Sequence, residues 1–177
     1  MYDVAVVLEG IAPILFNRYV EPPPGGGKLS EAQKQQEAED RVYRDDDGLY
    51  LPPWNVKRVM LDGVKAAGIK RGRASALPYI AATVFVEPLP RFEGKTKYDR
   101  MMVTNVRIPP KTGAMTAKGR PLLETGWRLA FVLHVLDDDR TPDSLRTAFD
   151  AAGVYNGIGS WRPEYGSFVV ADWKPTK

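Results

Sequence analysis

The 177-residue sequence contains no cysteine and a single histidine. The lack of cysteine excludes disulfides, thiolate nucleophiles and Cys-ligated zinc, and it fits a reducing compartment. No apolar run approaches the roughly 18 residues that a membrane span needs. The segment that follows Met1 has no basic residue before its apolar run, so it predicts a strand rather than a signal peptide. We therefore expect a cytoplasmic protein that makes no membrane contact.

Known catalytic motifs are also missing. The sequence has no GxxxxGK[ST] phosphate loop, no HExxH pair and no GxSxG elbow. The one histidine, His134, lies inside an apolar strand pattern without a recognisable acid–base partner. The acidic triplets at 45–47 and 137–139 adjoin turns, where solvated carboxylates are favoured over converging metal ligands. We expect no catalytic residue, no metal site and no cofactor.

Positive charge is concentrated in the middle of the chain. From Lys57 to Arg120 there are 14 Lys/Arg and 4 Asp/Glu, whereas the remainder holds 11 and 18. This segregation suggests a basic surface for a polyanion, with a chance surface pattern as the alternative. The candidate phosphate-binding residues are Lys57, Lys70, Arg71, Arg73, Lys95, Lys97, Arg100, Arg107, Lys111, Lys118 and Arg120.

The hydrophobic pattern predicts an α+β fold. Alternating and helical spacings predict, in chain order, a strand at 2–9, a helix at 56–67, strands at 82–87 and 127–136, a helix at 141–152 that ends at Gly153, and a strand at 167–173. This order is typical of a ferredoxin-like (RRM-like) βαββαβ antiparallel sheet with two helices on one face. The other face would be free to act as a binding platform.

We predict a single RRM-like domain over residues 1–177 with two insertions. The first, at about 17–48, is a Pro/Gly-rich loop followed by a polar surface helix, for which Ser30 and Gln33 form a capping box. The second, at about 88–126, is a basic β-hairpin with strands near 101–107 and 120–123. The hairpin could close over a bound strand or reach a neighbouring subunit, with a solvated hairpin as the alternative.

A glycine-rich segment, Gly157-Ile-Gly-Ser-Trp-Arg-Pro-Glu-Tyr-Gly166, separates the last helix from the last strand. Glycines let the backbone turn sharply, and exposed amides in such a loop can cradle phosphates. We expect Gly157, Gly159 and Arg162 to form this cradle, and Trp161 and Tyr165 to stack on bases. The alternative is a glycine turn held in place by aromatic packing.

With its position before the final strand, this loop resembles the glycine-rich loop of the RAMP superfamily of CRISPR-Cas proteins. Two further segments are similar to that superfamily: Gly10-Ile-Ala-Pro-Ile-Leu15 at the end of the first strand, and Leu49-Tyr-Leu-Pro-Pro-Trp-Asn-Val-Lys57 at the start of the first core helix. The loop here ends in Gly166-Ser-Phe rather than Gly-apolar-Gly. Length and the large excursion look most like Cas7-type backbone subunits, including phage and prophage Cas7-like proteins. The resemblance implies an RRM-like core, single-strand binding, side-by-side assembly and a bacterial or phage-infected host cell.

We therefore expect a non-catalytic protein that binds single-stranded DNA or RNA and forms homo-oligomers along the strand. The first alternative is a Cas7-type backbone subunit of a CRISPR RNA–protein complex, in which the bound strand is a guide RNA. The second is a structural phage or assembly protein whose basic patch contacts acidic protein partners.

Overall fold

The computed structural model describes residues 1–21, 28–107, 115–136 and 141–176. The proline/glycine run at 22–27, Lys111 with the hairpin turn at 109–113, and the acidic triplet at 137–139 lie outside these ranges. The elements are β1 (Tyr2–Gly10), β2 (Ile14–Leu15), α1 (Glu31–Arg41), β3 (Arg44–Asp45), β4 (Gly48–Leu49), α2 (Pro53–Ala66), β5 (Lys70–Arg71), β6 (Ala74–Ser75), α3 (Leu77–Thr83), β7 (Val84–Phe92), β8 (Arg100–Arg107), β9 (Met115–Leu123), β10 (Arg128–Val135), α4 (Thr141–Tyr155) and β11 (Phe168–Thr176).

The core is a four-stranded sheet in the order β11-β1-β10-β7, with every neighbouring pair antiparallel. Residues alternate between buried and partly exposed along β1 and β10, because successive side chains point to opposite faces of a sheet. Val4, Val6 and Leu8 lie on the buried face, as the alternation predicted. The structure thus confirms an α+β fold with an antiparallel sheet.

Two helices, α2 and α4, cover the buried face of this sheet. Phe149 of α4 is fully buried and packs with ring centroids 5.7 Å from Phe131 of β10 and 6.2 Å from Trp173 of β11. Burial of one such ring contributes about 1.5–3 kcal/mol. The predicted apolar stripe of α2 is buried from Val56 to Val64. Among the described residues, no helix is both long and apolar enough to cross a membrane.

The end of α4 differs from the prediction that Gly153 terminates it. The helix continues to Tyr155, and Gly153 is buried inside it where β11 crosses. A methyl group at this position would lie 2.1 Å from the carbonyl oxygen of Phe168, so the glycine permits close packing rather than a helix stop. The helix ends instead before Gly157, which has a φ of +68°.

The strand predicted at 82–87 is also displaced. Residues 82 and 83 belong to the short helix α3, and β7 runs on to Phe92 through the first residues of the predicted second insertion. This strand tolerates Pro88 and Pro90 because it lies at the edge of the sheet, where a missing amide hydrogen breaks no central ladder.

The two predicted insertions pack against each other. Strands β8 and β9 form the expected antiparallel hairpin, and β2 adds to it beside β9. Helix α1 begins at the predicted capping box, with Ser30 Oγ accepting from the Gln33 amide at 3.2 Å. The helix lies against β9, where Glu37 accepts from the amide of Gly119. The hairpin is therefore held by α1 on one side.

Candidate nucleic-acid interface

Several backbone amides of the glycine-rich loop donate hydrogen bonds within the protein. The amide of Gly157 donates to the carbonyl of Ala152 at 2.8 Å, and that of Ser160 donates to Leu15 at 2.9 Å. An amide that already has a partner cannot also donate to a phosphate without breaking that bond. The Gly157 amide, one of the groups expected in the phosphate cradle, is therefore already bonded within the protein.

The glycines instead allow the loop to lie directly on β2. Gly159 has a φ of +90°, and a methyl group there would lie 2.8 Å from the Leu15 carbonyl oxygen. This contact is with the backbone of β2, whereas the alternative named from the sequence was a turn held by aromatic packing. Arg162 turns inward, with Nη1 3.5 Å from Asp62 Oδ2 and 3.4 Å from the Gly157 carbonyl oxygen. A binding role for Gly157, Gly159 and Arg162 stays a prediction.

Two aromatic side chains of the loop meet the root of the hairpin. We call Arg120, Trp161, Tyr165 and Met102 the Trp161 cluster. The Arg120 guanidinium carbon lies 5.2 Å from the centre of the Trp161 ring, and the two aromatic rings are 6.5 Å apart. The Tyr165 hydroxyl donates to the Met102 sulfur at 3.3 Å. The fold thus brings Arg120, predicted as a hairpin cation, next to Trp161 and Tyr165, predicted as stacking residues of the loop.

Trp161 is held in an unusual backbone conformation. Its φ of +56° makes it the one non-glycine residue with positive φ among the described residues. Such a conformation costs about 1–3 kcal/mol and clusters at binding and catalytic sites. The side chain is 42% exposed despite its size. A large aromatic surface is therefore presented to solvent directly beside a cation.

Arg120 is a buried cation with a spare donor. It is 6% exposed, and its Nη1 donates to Ser160 Oγ at 2.7 Å. Its Nε has no partner among the described residues, and neither does the buried hydroxyl of Thr104 on the adjoining strand. Burial, together with the nearby charge of Arg41, lowers the pKa of Arg120. The Nε atom is also inaccessible to solvent, so an external anion would reach it only if a neighbouring side chain moved.

The other hairpin cations differ in how they are paired. Lys95 forms an ion pair with Asp99 at 2.8 Å, and Arg100 pairs with Glu124. No ion pair is found within the described residues for Lys97, Arg107 or Lys118, of which the first two are exposed and the third half-buried. These three are the hairpin cations best placed to contact a polyanion.

The remaining predicted cations lie elsewhere. Lys70, Arg71 and Arg73 are exposed on the β5–β6 hairpin that follows the C-terminal end of α2. The 14 residues of α2 span about 20 Å, and its first turn adjoins the glycine-rich loop. Lys57 lies with Nζ 4.9 Å from the centre of the Phe85 ring at the sheet edge. The predicted set is therefore split between two regions of the molecule.

The open face of the sheet, which we expected to act as a binding platform, carries its own carboxylates. Arg128 lies between Glu9 at 2.8 Å and Glu93 at 2.7 Å. His134 Nδ1 lies 2.6 Å from Asp3 Oδ1 on the same face. These paired charges and small central side chains favour a polyanion less than the hairpin does. In the described ranges, no three His, Asp or Glu side chains cluster as metal ligands.

A cavity that the sequence did not indicate lies next to the Trp161 cluster. Its volume is about 180 Å³. Five of the lining residues belong to the three segments that carry the family resemblance, but the sequence alone could not show that these segments meet around one cavity. The lining residues are Leu15, Phe16, Asn17, Tyr43, Leu51, Asn55, Gly159 and Ser160.

Comparison with known proteins indicates similarity at the level of the fold. No family model matches the sequence, and no curated protein matches it. Among solved structures, the chain is similar to one in "Cryo-EM structure of the Type III-B Cmr-beta bound to cognate target RNA", with a TM-score of 0.63 and 12% sequence identity. The match covers 99% of this chain and 61% of the other, so the protein spans about three fifths of its neighbour's length. What the two chains share is thus the fold, at a sequence identity that carries no function by itself.

Proposed function

We propose that this protein binds single-stranded nucleic acid, without catalysing a reaction on it, and that copies of it align along the bound strand. The observation that carries this proposal is the Trp161 cluster. It combines the guanidinium of Arg120, which lies 5.2 Å from the centre of the Trp161 ring, with two aromatic rings of the loop. A cation and stacking rings within one site are the elements with which proteins bind single strands.

The charge of the hairpin supports the same surface. From residue 101 to residue 123 the sequence has four Lys/Arg and no Asp/Glu. Because single-strand binding is largely electrostatic, unpaired cations such as Lys118 and Arg107 would add affinity along the backbone. A strand that crosses the hairpin root would then meet charge on β9 and stacking surfaces on the loop.

The architecture supports a ferredoxin-like core. In chain order the core strands are β1, β7, β10 and β11, with α2 after the first and α4 after the third. The sheet order β11-β1-β10-β7 is the order that two split β-α-β units produce. This arrangement agrees with the sequence resemblance to the RAMP superfamily.

A Cas7-type backbone subunit is the second candidate. It is favoured by the fold similarity to a chain of a Type III-B Cmr-beta complex bound to target RNA. The two candidates differ in their ligand: a guide-RNA subunit should prefer RNA, whereas a general single-strand binder should accept DNA as well. Both place the protein in the cytoplasm of a bacterial or phage-infected cell, which fits the absence of cysteine.

Salt-dependent binding tests the proposal. We expect the fluorescence anisotropy of labelled single-stranded DNA or RNA to rise with protein, and duplex to bind more weakly. If three or four phosphates are neutralised, the logarithm of the association constant should fall with the logarithm of the salt concentration with a slope of about −2 to −3. Sedimentation with strands of increasing length should show more copies on longer strands. Flat titrations at low salt would favour an acidic protein partner instead, and cleavage of the strand in Mg²⁺ would contradict the non-catalytic role.

Loss of the stacking ring should weaken binding without loss of charge. We expect Trp161→Ala to reduce affinity by about 10-fold, because stacking contributes about 1–3 kcal/mol per base. Tyr155→Ala is the matched control, since Tyr155 is 67% exposed at the end of α4 and is not one of the predicted binding residues. Equal affinities of the two variants in the anisotropy assay would remove Trp161 from the interface.

A further inference from the structure

We propose that the cavity between the glycine-rich loop and the start of α2 receives one unstacked nucleobase of the bound strand. We call it the base pocket. Its polar lining is Asn17, Tyr43, Asn55 and Ser160. The inference rests on the proposed function, in which the protein contacts phosphates and stacks bases on its surface. It adds the recognition of one base by hydrogen bonds in a pocket.

The size of the pocket suits a single ring system. At about 180 Å³ it is smaller than the about 300–1,000 Å³ typical of sites for larger small molecules. Leu15, Phe16 and Leu51 contribute apolar walls and are each at most 1% exposed. A flat apolar ring with a polar edge matches such walls, whereas a whole nucleotide exceeds the space.

The polar groups of the pocket are uncharged and only partly used. Asn17 Oδ1 accepts from Arg41 Nη1 at 3.1 Å, which orients the amide and leaves its Nδ2 as a donor. The side chain of Asn55 has no hydrogen-bond partner among the described residues. Ser160 Oγ accepts from Arg120 and keeps its own hydrogen to donate.

These neutral donors and acceptors match the edge of a base rather than a phosphate. Asparagine amides pair with base edges in two-point contacts, and unstacked bases are read in this way in enclosed pockets. A phosphate would instead require a cation in the lining, and the lining residues carry none. Burial raises the pKa of Tyr43, so its phenol stays protonated and neutral. The chemistry of the lining thus selects an uncharged polar ring.

Ser160 links the base pocket to the Trp161 cluster. Its hydroxyl contacts Arg120, and its backbone bridges to Leu15 at the pocket wall. A strand with a phosphate at Arg120 could therefore place an adjacent base in the pocket. The same loop would hold the backbone and read one base.

Free nucleosides test the pocket without reference to strand binding. Adenosine, guanosine, cytidine and uridine are titrated separately into the ¹⁵N-labelled full chain. We expect at least one of them, at millimolar concentration, to shift the amide signals of Asn17, Asn55 and Ser160. No shift with any nucleoside would overturn the proposal.

A matched pair of variants tests the reading of a base within a strand. The affinities of the wild-type protein for oligo(A), oligo(C) and oligo(U) or oligo(T) should differ by at least about fivefold. Asn55→Leu should reduce these differences in affinity to about twofold. The affinity for the weakest-bound homopolymer should stay unchanged. Asn105→Leu, at an exposed position of β8, should keep the wild-type preference.

The outcomes separate the pocket from the proposed function. Equal binding of all homopolymers by the wild-type protein, with no nucleoside shifts, overturns the pocket and leaves single-strand binding intact. Binding of no oligonucleotide overturns the proposed function, and the nucleoside titration then decides the pocket alone. A preference that Asn55→Leu leaves unchanged also overturns the pocket.

Discussion

Replacing Arg120 by methionine is expected to weaken single-strand binding by about 10- to 100-fold without lowering the stability of the protein. Loss of one arginine contact to nucleic acid costs about 1–3 kcal/mol. Arg120 is 6% exposed, and its Nε has no partner within the described residues. An apolar side chain of similar length removes this uncompensated donor while it fills the same space.

The effect on stability has the opposite sign to the effect on binding. Arg120→Met loses one hydrogen bond to Ser160, which costs about 0.5–1.5 kcal/mol. Replacement of a buried charge by an apolar group contributes about 1–4 kcal/mol in the other direction. We therefore expect the free energy of unfolding in urea to stay unchanged or to rise by about 1–3 kcal/mol.

Arg107→Met is the control for charge alone. Arg107 lies on the same hairpin and is exposed. Its replacement should reduce affinity less than Arg120→Met does and should not change the free energy of unfolding. Wild-type affinity in Arg120→Met would show that the strand does not contact Arg120. A large loss of stability would show that the guanidinium supports the fold rather than a ligand.

The second large effect is expected for Gly166→Ala, which should destabilise the protein far more than Gly94→Ala. Both glycines have a positive φ, +78° and +67°, so an alanine is strained to a similar degree at each. At Gly166 the added methyl group would lie 1.7 Å from the carbonyl oxygen of Ile158, whereas at Gly94 nothing lies within 4 Å. The difference between the variants therefore isolates the steric contact.

We expect Gly94→Ala to lower the free energy of unfolding by about 1–2 kcal/mol. Gly166→Ala should lower it by at least about 1–3 kcal/mol more, because the added methyl group overpacks the site. Urea unfolding followed by tryptophan fluorescence measures both. The amide of Ile158 also donates to the Gly166 carbonyl at 2.9 Å, so the same change should disturb the loop that carries Trp161. Equal stabilities of the two variants would mean that the loop can move to accommodate the methyl group. This result would contradict the close packing of Gly166 against Ile158.

Much of the fold follows from local patterns in the sequence. The alternation of Val4, Val6 and Leu8, the helical spacing from Val56 and the capping box at Ser30 all predict elements that the structure contains. These signals work because the period of a strand or helix and the chemistry of a cap are properties of neighbouring residues.

Two errors in the predicted elements have different causes. Gly153 looks like a helix stop in the sequence, yet it lies inside α4 because the Phe168 backbone approaches it. Residues 82 and 83 look like a strand, yet they complete α3. A backbone contact from β11 decided the first outcome, and local propensity is weak against such contacts. The second is a boundary between two elements that adjoin in the chain, and the ends of elements are the least well defined part of them.

The candidate site was predictable only in part. The sequence identified Arg120, Trp161 and Tyr165 as binding residues by type, but it could not show that they meet. It also could not show that Arg162 turns toward Asp62, or that Arg100 pairs with Glu124. Whether a cation is free for a ligand depends on which carboxylate the fold places beside it.

What the sequence by itself determined is the class of the protein: an antiparallel α+β core, a basic hairpin and a glycine-rich aromatic loop. Only the tertiary structure decided which hydrogen-bond donors have a partner within the protein and which have none. The amides of Gly157 and Ser160 donate to Ala152 and Leu15, while Arg120, which looked like one surface cation among many, is buried with an unpartnered Nε. The physical reason is that periodicity and composition are local, whereas burial and hydrogen-bond pairing depend on residues that are distant in the chain and come together only when it folds.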